Sequence, residues 1–270
     1  VTPPVEGEPG RGPGVILRGR EFSAVIFDLD GVITDTAAVH RRAWAAVFDE
    51  FLARHHPEQP EFGEQDYLTY VDGKNRADGV RSFLDSRSIT LPETTAEDEP
   101  AAESVAALAE RKDRLFHEFL DAEGPHPIAP TVDLIRRLRS AGVPVAVVSA
   151  SRNAATVLSR AGVAVDVRVD GIDADRLGLP GKPDPALFLE AARRLRLDPA
   201  DAVVVEDAES GVAAATNGGF GQVVGIATAG HASALERSGA DVVVPDVVAL
   251  TWSTQSGVER RRGPDRTQGG

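Results

Sequence analysis

Asp28 and Asp30 stand at the end of the apolar run Ala24–Phe27, and Gly31 follows them. A short run of this kind suits a strand covered on both faces, and the glycine gives the backbone freedom to leave it. Side chains alternate along a strand, so Asp28 and Asp30 share a side while Leu29 faces the other way. Two carboxylates at the end of a buried strand can bind a hard cation. One can also attack phosphorus while the other moves protons.

Ligands of parallel α/β sheets collect beyond the carboxyl ends of the strands, and three further sites there bear on this pair. Ser149, Ala150, Ser151, Arg152 and Asn153 follow the apolar run Val143–Val148. Their hydroxyls and backbone N–H groups suit an anion at a helix start, and Ser or Asn there equally suits plain helix capping. Lys182 lies in Gly181-Lys182-Pro183-Asp184-Pro185, where two prolines fix the backbone before a helix; taken alone it reads as a solvated lysine. Glu206 and Asp207 follow Ala202–Val205, and Asp207 suits a helix cap. Two adjacent acids in that position repel unless a cation offsets them, and oxygen ligands beside a phosphate favour Mg²⁺ over zinc.

The elements that must position these residues alternate from Thr131 onward. Helical patterns cover Val132–Ala141, Asn153–Ala161, Pro185–Leu195, Ser210–Asn217 and Ala232–Ser238. Strand patterns cover Val143–Val148, Val163–Val169, Ala202–Val205, Gln222–Ala227 and Asp241–Val244. Short apolar strands separated by helices predict an α/β fold, with a Rossmann-like parallel sheet core joined by the strand before Asp28. Residues 36–125 show helical segments, including a Trp44/Phe48/Phe51 face, and no strong strand signal, which predicts an inserted helical cap. Ser86–Pro100 reads as a loop between cap helices. The expected division is a flexible tail at 1–20, a core at 21–35 and 126–252, the cap at 36–125, and a second flexible tail at 253–270. In that last tail Arg260, Arg261 and Arg262 read as a solvated charge cluster.

Across 270 residues, 42 acidic side chains outnumber 29 basic ones, for a net charge of −13. That balance argues against a nucleic-acid partner. With no cysteine, disulfides, thiolate metal sites and a cysteine nucleophile are excluded. No apolar run reaches membrane-spanning length and residues 1–20 lack a signal-peptide core, so a soluble, cytoplasmic protein without a membrane partner is expected.

Asp28-Leu29-Asp30-Gly31-Val32, then Ser149, Lys182 and Glu206-Asp207, in this order at strand ends, resemble the four motifs of the haloacid dehalogenase-like phosphotransferases. The resemblance implies that Asp28 is the phosphorylated nucleophile and Asp30 the general acid/base. It further implies that Ser149 and Lys182 hold the phosphoryl group, and that Mg²⁺ is bound by Asp28, the Asp30 backbone carbonyl, Glu206 and Asp207. Gly31-Val32-Ile33-Thr34-Asp35-Thr36, with His40, Arg42, Ala43 and Trp44, is similar to the phosphoglucomutase branch of that family. In that branch His40 would be linked to Asp30. Arg76 from Gly73-Lys74-Asn75-Arg76, Lys112, and the run Ala150, Ser151, Arg152 and Asn153 would bind substrate and grip its second phosphate. The implied reaction interconverts β-glucose 1-phosphate and glucose 6-phosphate through a glucose 1,6-bisphosphate intermediate, with a small-molecule phosphatase as the rival. An active site that closes within one chain suits a monomer. One departure stands out: Ala208 occupies the position where the family commonly carries Ser or Thr.

Overall fold

The computed structural model describes residues 13–94, 103–227 and 231–255. Chain order begins with strands β1 (Gly14–Leu17), β2 (Arg20–Phe22) and β3 (Ala24–Asp28). The insert follows as α1 (Ala37–His55), a short α2 (Glu64–Asp66) running into a wide helical turn at Tyr67–Val71, α3 (Arg76–Ser86) and α4 (Val105–Glu123). The chain then alternates: α5 (Ala129–Ser140), β4 (Val145–Val148), α6 (Ala154–Ala161), β5 (Val167–Val169), α7 (Gly171–Leu177), α8 (Ala186–Leu195), β6 (Ala202–Glu206), α9 (Glu209–Asn217), β7 (Gln222–Ile226), α10 (Ala232–Arg237), β8 (Val242–Val244) and β9 (Trp252–Gln255).

Six strands form a parallel sheet in the order β5-β4-β3-β6-β7-β8. After β5 the chain crosses back to β6 on the other side of β3, which makes the carboxyl ends of β3 and β6 the switch point where a ligand crevice opens. Val25, Phe27 and Leu29 pack into one apolar layer with α5 and α6, while Ile26 packs into the other with α8 and α9. Burial on both faces explains why β3, β4 and β6 read as unbroken apolar runs. It also sends Asp28 to the α8/α9 side at the sheet's open end.

The insert has an apolar centre of its own, in which Phe48 stacks on Trp44 at 5.0 Å and lies tilted against Phe83 at 4.1 Å between ring centroids. Its base is shared: Val39 and Ala43 of α1 and Phe116 and Leu120 of α4 join the core layer that contains Leu29 and Ile33. Two antiparallel connections carry it, with Asp35 N–H donating to the His126 carbonyl at 2.8 Å and Ile128 N–H to that of Ile33 at 2.8 Å. Asn75 caps α3 by accepting from Asp78 N–H, and Ser104 caps α4 by accepting from Ala107 N–H.

Three expectations change. Gly14–Leu17 and Arg20–Phe22 are strands, and β1 pairs with both β2 and β9, so these parts of the segments read as tails form an antiparallel ribbon. The alternation of Val15 and Leu17 buries both, which outweighs the Gly, Pro and Arg around them. The strand expected from Val163 starts at Val167, and Gly171–Leu177 is a helix capped by Asp170. The loop after Ser86 is described only to residue 94, and Arg260–Arg262 lie outside the described residues. Among the described residues, no helix is long and apolar enough to cross a membrane.

Candidate active site

Asp28 ends β3 and is only 6% exposed. Its Oδ1 accepts from Lys182 Nζ at 2.5 Å and its Oδ2 from the Asp30 N–H at 2.8 Å. Lys182 also donates to Glu206 Oε1, so one buried ammonium holds two buried carboxylates. The other Glu206 oxygen accepts from the N–H groups of Asp207 and Ala208, both at 2.7 Å. Both Glu206 oxygens are therefore engaged, and the side chain acts here as an anchor for Lys182.

Asp207 faces the pocket beside Gly31. A Cβ on Gly31, whose φ is +85°, would fall 1.8 Å from Asp207 Oδ2, so this turn needs glycine both for its backbone and for the carboxylate's approach. Burial pushes Asp28 well above the usual carboxylate range, Lys182 opposes it, and Glu206 and Asp30 reinforce it. Burial does the same to Asp207, with Asp72, Glu206 and Asp28 adding repulsion. Asp72, after the wide turn of the insert, is raised to about 6, chiefly by burial.

Asp30 has different surroundings. Thr36 Oγ1 donates to its Oδ1 at 2.5 Å, His40 Nε2 lies 3.4 Å from the same oxygen, and Ser149 Oγ donates to Oδ2 at 3.2 Å. Burial alone would raise this carboxylate, but His40, Thr36 and Lys112 together hold it at about 2. His40 stacks on Phe116 at 4.1 Å, and its Nδ1 meets the Lys112 ammonium nitrogen. With Nδ1 accepting from Lys112, Nε2 carries the proton and points it at Asp30. Burial against Trp44 and Phe116 lowers Lys112 to about 7, partly offset by Asp30 and Asp113.

Asp28, Asp30, His40, Arg76, Lys112, Ala150, Ser151, Arg152, Asn153, Lys182 and Asp207 line one pocket. Ser149 and Glu206 are 1% and 0% exposed and sit behind it. Arg76 Nη1 is 2.7 Å from Asp113 Oδ2, and Asn153 Nδ2 donates to Asp113 Oδ1 at 2.9 Å. Ser149 and Ser151 turn back on the chain: the hydroxyl of each accepts from the N–H two residues on. Arg152 is at the rim, 55% exposed and 3.6 Å from Asp175. Four further polar side chains line the pocket without a role implied by the sequence: Tyr67, Asp72, Lys74 and Asp113. The signals for them were the Asp72-Gly73-Lys74 turn just before Arg76 and the acid next to Lys112.

The donor set fits a hard cation. Asp28 and Asp207 bring oxygen ligands that burial and mutual repulsion destabilise as anions, which a nearby divalent ion would relieve. Among the described residues no three acidic or imidazole side chains converge on one point. A set of two carboxylates completed by a main-chain carbonyl is consistent with that.

A family model described as haloacid dehalogenase-like hydrolase matches residues 22–219. The chain belongs to that family. Within it, the chain is 45% identical over 240 residues to the β-phosphoglucomutase of Mycobacterium tuberculosis, covering 84% of this chain and 90% of that one. It is 30% identical to the validoxylamine A 7'-phosphate phosphatase of Streptomyces hygroscopicus subsp. limoneus, covering 86% and 97%. Among solved structures it resembles the Clostridium difficile β-phosphoglucomutase, with a TM-score of 0.65 at 25% identity, covering 83% and 90%. As a haloacid dehalogenase-like hydrolase with such relatives, the chain is an enzyme, and phosphoryl transfer on sugar phosphates is the chemistry they support.

Proposed function

We propose that the chain interconverts β-glucose 1-phosphate and glucose 6-phosphate through glucose 1,6-bisphosphate, with Asp28 as the phosphoryl carrier. The observation that carries this reading is a second set of groups suited to a phosphate in the same pocket. Arg76 arrives from the cap and Asn153 from the core loop, apart from the Asp28–Lys182 end. A bisphosphate that presents either end in turn needs such a grip, and guanidinium suits it. The 45% identity to a β-phosphoglucomutase points the same way.

Asp28, oriented by Lys182 and the Asp30 N–H, attacks phosphorus in line. The bond from Asp28 forms as the bond from phosphorus to the sugar oxygen breaks, and Asp30 returns a proton to that oxygen. In the other direction Asp30 takes the proton of the sugar hydroxyl that attacks the phosphorylated Asp28. His40, Thr36 and Lys112 favour its ionised form, the one this second step needs. Lys182 offsets charge on the transferring group. Asp28, Asp207 and the Asp30 carbonyl would hold Mg²⁺, which would supply charge neutralisation at the phosphoryl oxygens.

A phosphatase is the second reading, favoured by the validoxylamine A 7'-phosphate phosphatase relative. In that case water takes the phosphoryl group from Asp28. Supplying β-glucose 1-phosphate with Mg²⁺ and a trace of glucose 1,6-bisphosphate decides between them. Glucose 6-phosphate is expected, and inorganic phosphate released with no isomer formed would sink the mutase.

A further inference from the structure

The two oxygens of Asp113, on α4, are committed to different parts of the molecule. Oδ2 is 2.7 Å from Arg76 Nη1, at the start of α3, and Oδ1 accepts from Asn153 Nδ2 at 2.9 Å, in the core loop before α6. One carboxylate thus ties two cap helices to the core. Arg76, Asp113 and Asn153 line the inner pocket, and they also line an outer cleft that continues to Ile172 and Leu179. The three side chains therefore stand between the two spaces.

A sugar phosphate that spans or passes between the two spaces must displace these side chains. The ion pair is built to yield: Arg76 is 23% and Asp113 29% exposed, where water weakens the attraction between them.

We propose that Asp113 is a built-in anion that occupies the cap-side phosphate grip and latches the cap to the core. The phosphate on the non-reacting end of the substrate opens the latch by displacing Asp113 from Arg76 and Asn153, and then takes the carboxylate's place between them. This deepens the sugar-phosphate reading above. A dianion with three terminal oxygens outbids a single carboxylate for a guanidinium and an amide N–H, whereas a sugar hydroxyl does not. Selection for a substrate with a phosphate at its far end thereby precedes the chemistry.

The test compares the wild-type protein with Asp113→Asn and Asp113→Ser, each first checked for a cooperative thermal transition. Calorimetric titration with glucose 6-phosphate in Mg²⁺ is expected to show both variants binding about tenfold tighter, because a like charge has left the grip. Turnover should show KM lowered by a similar factor with kcat unchanged or reduced, a split that a merely structural role would not produce. Small-angle scattering without sugar phosphate should give a larger radius of gyration for the variants than for wild type. Equal or weaker binding by both variants would overturn the proposal, since Asp113 would then be holding the donors for the phosphate. If one variant fails to fold, the other decides. The affinity ratio does not depend on the fate of the phosphoryl group, so a chain that hydrolysed its substrate would fail the isomer assay and leave this result standing.

Discussion

On the core side of the pocket, Asp28, Ser149, Lys182 and Glu206 are each 6% exposed or less, and each is fixed by a strand end or a buried partner. On the cap side, Arg76 and Asp113 keep 23% and 29% of their side-chain surface exposed and meet at the end of the long Arg76 side chain. In the proposed reaction, the reacting end would thus be held rigidly before any substrate arrives, and the recognising end left adjustable. Lys112 crosses this division. It belongs to the cap, is 5% exposed, and reaches Asp30 through His40, which in the proposed mechanism would couple the cap to the proton-transfer group.

Substitutions can break this contrast, and the largest effect is expected on the rigid side. Asp28→Asn should lower kcat by about a thousandfold or more and abolish the phosphorylated form seen by intact-protein mass. Arg76→Ala should cost about a hundredfold in isomer formation while phosphoryl transfer to Asp28 suffers less, separable by single-turnover measurements. Equal losses in both steps would erase the distinction between the two ends.

Lys112 sharpens the comparison through pH. Because it is held at about 7 in the folded protein, the unfolded chain binds a proton that the folded one lacks between that value and the free lysine value of about 10.4. Stability must therefore rise with pH across this window. Urea denaturation of wild type at a series of pH values should show that rise, and Lys112→Met should lack it. The smallest effect is expected at Arg152, exposed and turned toward Asp175: Arg152→Ala should change kcat/KM by no more than about threefold.

The rigid side was the more legible in the sequence. Asp28, Lys182 and Asp207 follow apolar runs or a proline-fixed turn, so burial and direction can be inferred from neighbours alone. Glu206 was legible as a site residue but not as the anchor of Lys182, because that depends on backbone N–H groups turning back onto its carboxylate. Asp72 and Asp113 were not legible, since a charged residue on a cap helix or turn looks the same whether it faces water or a partner brought close only by folding. The β1–β9 ribbon was missed for a related reason: strands this short persist only through pairing across most of the chain's length.

Ala208 gains a meaning from the cap. A Cβ placed on Gly73 would come within 3.0 Å of the Ala208 methyl and 2.3 Å of Ser210 Oγ, and Ser210 Oγ donates to the Asp72 carbonyl at 3.0 Å. The insert meets the core here through a bare backbone, a single methyl and that one serine hydrogen bond, surfaces with few rotamers to freeze and little area to adhere. In the cap release proposed above, such a contact would serve as a mechanical stop: it would set how far the cap travels inward, and lifting the cap away would break one hydrogen bond.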